Sequence, residues 1–453
     1  MSVAGALARP LVALFSPPGE RRRLHEPDLW LLATLLVLAM FGTVMVFSAS
    51  FALGVRQPGS NGYSYLIRHL LWLTVGLVGM TVAYLIDYRV WRRVSLLGMV
   101  LALGLLALVL VPGIGVEIWG AQRWIHVGPL SIQPAELAKL ALVIYLADWL
   151  AQKGVRIRQF SYGLVPFTLL IGLLVGLVML QPDLGSSAVL AVIGISMFFV
   201  AGAPLFQFAL LLVSGAAAFL MLALSAPYRR DRLLLFLSPD RDLLDPESKL
   251  LGLGWQIAQA RLAFGSGGLF GVGLGASRQK FLWLFAAHSD AIFAVIGEEL
   301  GLVGCLFVIA LFLFLAWRGY RIARKAPDSF GSLLAVGITT WVIAQAAINI
   351  GGITSTIPFT GIPLPFLSYG GSSLAVTLTA MGILLNISRA TVRAREFEPG
   401  ERAAAPQPER FPTRVQARPE LSGVPVHRGP VMRGTFGRGR RVRPRRWVRS
   451  AGP

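Results

Sequence analysis

Three carboxylates stand where the stretch "FAAHSDAIFAVIGEELGLVG" (285–304) turns into a long apolar run: Asp290, then Glu298 and Glu299. Carboxylates are expensive in hydrocarbon, so each marks either chemistry or a paired interior position. Asp290 has two readings. It suits the cap or first turn of a helix, a role Ser289 could equally fill. As a carboxylate at a membrane's outer surface, beside His288 and near cationic side chains, it also suits a general base that takes a proton from an incoming hydroxyl. A helix N-terminus and nearby cations would weaken such a base, and desolvation would strengthen it. Glu298 and Glu299 lie about 12–14 Å deeper on a regular helix and on different sides of it. They cannot share one narrow stripe with Asp290, so at least one faces protein neighbours. Lys139 in "PAELAKLALVIYLADWL" is the candidate partner, with Glu136 just above it. A structural ion-pair network is the first reading of these four residues, and a polar cavity or ion path is the second.

Other polar residues sit at the ends of apolar blocks. "QRWIHVGPLSIQP" holds Arg123 and Trp124. Trp at a membrane boundary is commonly an interface anchor, but an Arg-Trp pair could also grip an anionic, partly apolar ligand. In "QPDLGSS", Asp183 suits the cap of the helix that follows. "FLSYGGSSL" runs from loop into helix through two glycines, with Ser368 and Ser372 at the junction. Backbone amides at such a start can cradle phosphate, although the lysine of a nucleotide-binding loop is missing.

The elements that must carry these residues follow from composition. The 453-residue chain is 55% hydrophobic and only 14% charged, well below the quarter charged residues of a soluble domain. Its apolar residues fall in blocks of about twenty, the length needed to cross a bilayer core. The fold class expected is therefore an all-α polytopic membrane protein. The spacing predicts ten spans, at about 29–48, 68–87, 94–112, 136–152, 161–180, 185–203, 205–225, 291–316, 331–350 and 372–389. Basic clusters at "RRR", "DYRVWRR", "QKGVRIR" and "WRGYRIARK" fall on one side if both termini are cytoplasmic, as the positive-inside rule requires. The outer segments are then 49–67, 113–135, the turn at "QPDLGSS", 351–371 and a long loop, about 226–290, between the seventh and eighth spans.

Residues 1–28 read as a cytoplasmic lead-in, 29–390 as one ten-helix membrane domain, and 391–453 as a disordered basic tail. The tail supplies a large part of the net charge of +20 and lacks the apolar residues to fold alone. Nucleic acid is conceivable as its partner, but anionic inner-leaflet lipid is nearer, at roughly 1 kcal/mol per basic residue. A plain solvated tail is the default. Cys305, the lone cysteine, excludes an intrachain disulfide and reads as a small core hydrophobe.

Taken together, "AQRWIHVGPLSIQPAELAKLALVIYLA", "QPDLGSS", "APYRRDRLLLFLSP", "GWQIAQARLAFGSGGLFGVGLGASRQKF", "HSDAIFAVIGEELG" and "TGIPLPFLSYGGSSL" resemble the SEDS family (shape, elongation, division and sporulation). Its FtsW and RodA branches polymerise peptidoglycan, and "GWQ" and "SRQK" look more like the FtsW branch. The resemblance covers about residues 29–390. It implies a ten-span inverting glycosyltransferase that joins lipid II, a disaccharide-pentapeptide on undecaprenyl diphosphate, into β-1,4 glycan at the outer face of the bacterial cytoplasmic membrane.

Asp290 matches the family's essential aspartate. Arg123, Trp124, Glu136, Lys139 and Asp183 match motif positions near its central cavity. Arg229, Arg232 and Lys280 become candidates to stabilise the leaving diphosphate, and His288, Ser368 and Ser372 candidates to contact substrate. A divalent cation, Mg or Mn, could assist, though no clean ligand set is visible. The implied partners are lipid II, the growing strand, a class B penicillin-binding protein and other division or elongation membrane proteins. A lipid II flippase and a non-catalytic division scaffold are the alternatives. The chain departs from the family pattern at Ser289, where Thr is usual, at Phe264, where Ile is usual, and at "FAA" (285–287), where Pro-Glu usually precedes the His. The last departure removes an acidic neighbour from this loop.

Overall fold

The computed structural model describes residues 26–56, 62–118, 121–128, 130–225, 227–237, 251–281 and 283–390. The tail and most of the N-terminal lead-in lie outside them. Helices occupy each expected span: α1 (Leu29–Arg56), α2 (Ser64–Leu85), α3 (Ser95–Leu108), α4 (Pro134–Lys153), α5 (Val165–Leu180), α6 (Leu184–Val200) and α7 (Leu205–Leu224). Two further helices, α8 (Pro227–Leu237) and α9 (Leu251–Gly267), lie in the long loop and precede α10 (Ile292–Lys325), α11 (Ser329–Ile353) and α12 (Ser372–Ala390). Among the described residues seven helices are long and apolar enough to cross a bilayer. Helices α3 and α6 are shorter apolar helices, and α4 carries Glu136, Lys139, Asp148 and Lys153.

The all-α architecture carries one small addition. The outer segment between α3 and α4 forms a three-stranded antiparallel sheet of β1 (Gly115–Ile118), β2 (Ala121–Val127) and β3 (Leu130–Ile132), in that order. Short runs are enough for it, because antiparallel neighbours pair their backbone groups with one another. Strand β3 leads directly into α4 through Gln133 and Pro134.

Burial ranks the helices. The apolar windows of α11 and α12 are 72% and 83% buried, against 11% for α7, so α11 and α12 form the centre and α7 the lipid-facing rim. At the end remote from Asp290, ion pairs tie helix ends together. Asp28 accepts from Arg318, and Asp148 accepts from Arg92 and Ser95, both at 2.8 Å. Asp328 accepts from the Tyr88 hydroxyl and caps α11 through the Gly331 amide at 2.7 Å.

The regular helix expected through Glu298 and Glu299 needs a correction, because α10 is not continuous. Gly301 breaks it with φ +68° and ψ −163°, a conformation that only glycine adopts readily. The Gly-rich segment after α9 inserts at the break. Val272 and Gly273 donate to the carbonyls of Glu298 and Glu299 at 2.9 and 3.0 Å, while Leu302 and Val303 donate to Gly268 and Leu269 at 2.9 and 3.1 Å. Backbone groups freed by the break are thus satisfied by a second piece of backbone, as membrane depth demands. The fit leaves no room: a Cβ on Gly271 would lie 2.2 Å from the Glu299 carbonyl oxygen. Leu269, Phe270, Val272 and Leu274 are exposed on this insertion, a surface that suits lipid better than water.

The two glutamates hold this insertion in place. Glu298 accepts from Ser277 Oγ at 2.6 Å and the Arg278 amide at 2.9 Å. Glu299 accepts from Ser48 Oγ of α1 at 2.7 Å and pairs with Lys280 at 2.8 Å. Lys280, not Lys139, is therefore the cation that Glu299 meets. Lys280→Met strands a buried carboxylate and should destabilise the protein by about 3–5 kcal/mol, whereas Lys280→Met combined with Glu299→Met should recover most of that loss. Thermal unfolding of the three proteins in detergent checks this, and equal melting of single and double variants would contradict it.

Candidate functional site

Asp290 lies in the turn that precedes α10. Ala286 turns the chain at φ +54°, and its carbonyl accepts from the amides of Ser289 and Ala291 at 3.0 and 3.2 Å. The N-cap of α10 is Ala291, with no side-chain capping bond. The capping role open to Asp290 or Ser289 is thus not the one adopted, and the Asp290 carboxylate is left for other work.

Side chains of α11 and of the loop after it fasten this turn. Asn349 Nδ2 donates both to the Asp290 carbonyl, at 2.8 Å, and to the Ile362 carbonyl, at 2.6 Å. Ser368 Oγ donates to the Ser289 carbonyl at 2.6 Å and accepts from the Leu364 amide at 2.8 Å. The Tyr369 amide donates to the His288 carbonyl at 2.9 Å. The His288 ring sits between Tyr65 and Tyr369, with centroids 5.0 and 5.5 Å away. Burial pushes its pKa down to about 4, so the imidazole is neutral near pH 7 and is not one of the cations expected there.

The wall facing the carboxylate is Gly361. A Cβ at this position, where φ is +73°, would lie 3.3 Å from Asp290 Oδ2 and 4.0 Å from Arg232 Nη1. Arg232, on α8, donates Nη1 to the Phe359 carbonyl at 2.9 Å and stacks over the Phe359 ring. Arg123, on β2, donates Nε to the Gln181 carbonyl at 2.9 Å and Nη2 to the Pro182 carbonyl. Asp183 takes its expected cap role, accepting from the Ser186 amide at 2.9 Å. It also accepts from Gln133 Nε2 at 3.1 Å, and the Gln133 amide donates to Ser372 Oγ at 3.1 Å.

The tension around Asp290 resolves in one direction. Burial raises its pKa from 3.8 to about 7, against the lowering effects of a Ser289 hydrogen bond and of Arg232 and Arg123, with Asp183 adding a smaller upward push. A carboxyl poised near the working pH is the state a general base needs.

Other expected residues take supporting positions. Glu136 and Lys139 pair with each other at 2.7 Å, both almost fully buried. Lys139 also donates to Gln345 Oε1 at 2.7 Å, and Gln345 Nε2 donates to the Pro363 carbonyl at 3.1 Å. This buried pair therefore supports the loop behind Asp290 and does not itself meet the carboxylate. Trp124 follows Arg123 on β2 and pairs across the sheet with Val116. The register shifts at this point and leaves Arg123 as the extra residue of a β-bulge, where the regular alternation of faces is interrupted. Lys280 is taken up by Glu299, Ser48 and the Gly275 carbonyl, away from the role of diphosphate partner. The side chain of Arg229 lies outside the described residues. Among the described residues no three His, Cys, Asp or Glu converge as a metal-binding group.

Three contributors escaped the sequence reading: Asn349, Gln345 and Gly361. The first two had a signal, since polar amides inside the apolar run "WVIAQAAINIGG" must find partners across helices.

The chain is similar to known proteins over most of its length. A family model described as cell cycle protein, FTSW_RODA_SPOVE, matches residues 29–393. Stage V sporulation protein E of Bacillus subtilis is 45% identical over 364 residues, covering 80% of this chain and 97% of that protein. A probable peptidoglycan glycosyltransferase FtsW of Trichlorobacter lovleyi is 43% identical over 369 residues, covering 81% and 94%. Among solved structures, one reported as "Structural coordination of polymerization and crosslinking by a peptidoglycan synthase complex" contains a chain that is 30% identical, with TM-score 0.64 and coverage of 80% and 98%. The rod shape determining protein RodA of Thermus thermophilus is also 30% identical, with TM-score 0.59 and coverage of 81% and 98%.

The raised carboxyl pKa has a cost to stability. Between the ordinary value of 3.8 and about 7 the folded protein holds a proton that the unfolded chain has lost, so this group's contribution falls as pH rises and is fully lost above about 7. Asp290→Asn should therefore melt at a higher temperature than the native protein at pH 8, with a smaller difference at pH 5. Thermal unfolding at the two pH values reads this directly, and an advantage larger at pH 5 would contradict it.

Proposed function

The chain belongs to the FtsW/RodA/SpoVE family of cell cycle proteins, the SEDS family, and we propose that it polymerises lipid II into β-1,4 glycan in cell division. It is a peptidoglycan glycosyltransferase, a multi-pass membrane enzyme of the kind its FtsW relatives are named for. The single observation that carries this reading is the Asp290 carboxyl, held by its backbone, unused as a cap and poised near pH 7 between two arginines.

In the proposed reaction the 4-hydroxyl of the acceptor GlcNAc attacks the anomeric carbon of the donor MurNAc. Asp290 takes the hydroxyl proton as the new C–O bond forms. The bond to undecaprenyl diphosphate breaks on the opposite side and its electron pair leaves with the diphosphate, so an α-linked donor yields a β-linked product. Arg232 would steady the charge that develops on the leaving group. The reaction runs at the outer face of the bacterial cytoplasmic membrane, with ten helices spanning it and both termini inside.

The proposed partner is a class B penicillin-binding protein that crosslinks the product. The solved peptidoglycan synthase complex, whose reported subject is coordination of polymerization and crosslinking, supports it. The flippase alternative required a polar path through Glu136, Lys139, Glu298 and Glu299. Hydrogen bonds and ion pairs engage each of the four, which favours the enzyme.

Purified chain with its cognate transpeptidase should convert labelled lipid II into glycan strands. Asp290→Ala should reduce the rate by about 10²–10⁴-fold, the usual worth of a general base. Gel analysis of strand length measures it, and a variant as active as the native protein would remove Asp290 from the mechanism.

A further inference from the structure

Cations at the end of the bundle remote from Asp290 mostly have work inside the protein. Arg89 pairs with Asp328, Arg92 with Asp148 and Arg318 with Asp28. Arg321 and Arg389 lie over the rings of Trp317 and Tyr84. Arg324 and Lys325 end α10, and Lys153 ends α4 over the Trp149 ring, where cations suit the helix dipole. Arg156 and Arg158 have no such employment. They stand beyond the end of α4, both exposed, and form no ion pair with any described residue.

The turn that carries them is firmly built. Gly154 ends α4 at φ +50°, a conformation that suits glycine, and Gly154–Arg158 close into a 3₁₀ turn. Ile157 is buried between the two exposed arginines. The Gln159 amide donates to the Arg156 carbonyl at 3.1 Å, and Gln207 Nε2 of α7 donates to the Arg158 carbonyl at 2.9 Å. Gly163 packs so closely that a Cβ there would lie 2.0 Å from the Ile157 carbonyl oxygen. Two guanidinium groups thus project from a fixed backbone, and little ordering entropy opposes a ligand that takes them.

Geometry and neighbours narrow the ligand. At three residues per turn, positions 156 and 158 lie about 120° apart around the turn axis. The two side chains therefore do not close on one group as a pair, and they suit two anionic groups carried on one molecule. Guanidinium favours phosphate oxygens in planar, paired contacts. Phe160 and Tyr162, just beyond the turn, are 53% and 61% exposed, as rings at a headgroup boundary are. On the proposed topology the turn faces the cytoplasm, where basic pockets beside membrane helices take lipid headgroups.

We propose that the Gly154–Arg158 turn binds a phospholipid whose headgroup carries two phosphates, a diphosphatidylglycerol. Arg156 and Arg158 each take one phosphate, Lys153 adds charge beside them, and Phe160 and Tyr162 lie against the acyl chains. The site needs the proposed topology and is independent of the glycosyltransferase chemistry and of the basic C-terminal tail.

The full chain in detergent is titrated with tetraoleoyl diphosphatidylglycerol, and retained lipid is counted by native mass spectrometry. Dioleoyl phosphatidylglycerol at matched phosphate is the single-phosphate probe. Arg156→Gln and Arg158→Gln should each weaken retention of the two-phosphate lipid about fivefold, the worth of one basic residue at a charged surface. Arg156→Lys and Arg158→Lys should keep most of it, and lipid-free melting temperatures should not change in these exposed variants. Arg324→Gln combined with Lys325→Gln removes as much charge elsewhere and should leave retention as it was.

Retention unchanged in Arg156→Gln and Arg158→Gln would overturn the site. An equal loss in the Arg324 and Lys325 double variant would also overturn it, by reducing the effect to general charge attraction. Phosphatidylglycerol held as tightly at matched phosphate would overturn the two-phosphate assignment. Binding is read without substrate, so arginine-dependent retention by a chain that makes no strands would keep this site while the enzymatic reading fell.

Discussion

Every backbone amide and carbonyl at membrane depth needs a partner inside the protein, because hydrocarbon offers none. A regular helix meets this demand alone, but a catalytic turn cannot be a regular helix. The turn at 286–291 and the loop at 359–369 therefore depend on side chains from the helices behind them. Asn349 serves both with one amide group, joining the Asp290 carbonyl to the Ile362 carbonyl. Ser368 joins the Ser289 carbonyl to the Leu364 amide, and Gln345 reaches the Pro363 carbonyl while bound to Lys139. These anchors come from α11, the loop before α12 and α4, which explains why the most buried part of the bundle also carries its polar residues. Lys139 and Glu136 belong to this support, since a buried pair can hold Gln345 in one orientation.

Burial and charge compete at Asp290, and the geometry shows why burial prevails. Arg123 and Arg232 both act on the carboxyl, yet each guanidinium is also bonded to backbone carbonyls, of Gln181 and Pro182 for one and of Phe359 for the other. Tethered in this way, they lower the carboxyl pKa without bringing it back to the ordinary carboxylate range. The result is a carboxyl poised near neutrality beside two arginines, which supports the base proposed for it.

The span positions were legible because repeated apolar blocks of bilayer length are what a chain needs to cross a membrane and far more than a soluble core requires. Asp290 was legible because a carboxylate at the start of such a block must have a reason. What escaped was non-local. Gly301 in "GEELGLVG" looks like any glycine of a membrane helix until the backbone of 268–273 is seen to fill the gap beside it. The continuous-helix reading sent Glu298 and Glu299 toward Lys139, whereas the inserted segment brings Lys280 to Glu299. Arg123 lies at a bulge in β2, and such a register shift depends on how the strands pair and not on local sequence. The small sheet between α3 and α4 is too short to stand out from a polar loop.

The break in α10 also bears on how the site is registered. Helix α10 begins just after Asp290, and at its break it grips the segment following α9 through backbone bonds and through Glu298 and Glu299. The position of that segment is therefore set by the same helix that follows the base. Arg261 lies on α9, the helix that leads into the inserted segment, and it lines one cavity with Arg232. A continuous α10 would leave that segment without its backbone partners, and with them would go the link between α9 and the turn that carries Asp290. The two buried glutamates, set back from the Asp290 turn, thus hold the segment after α9 in register with the helix that follows that turn.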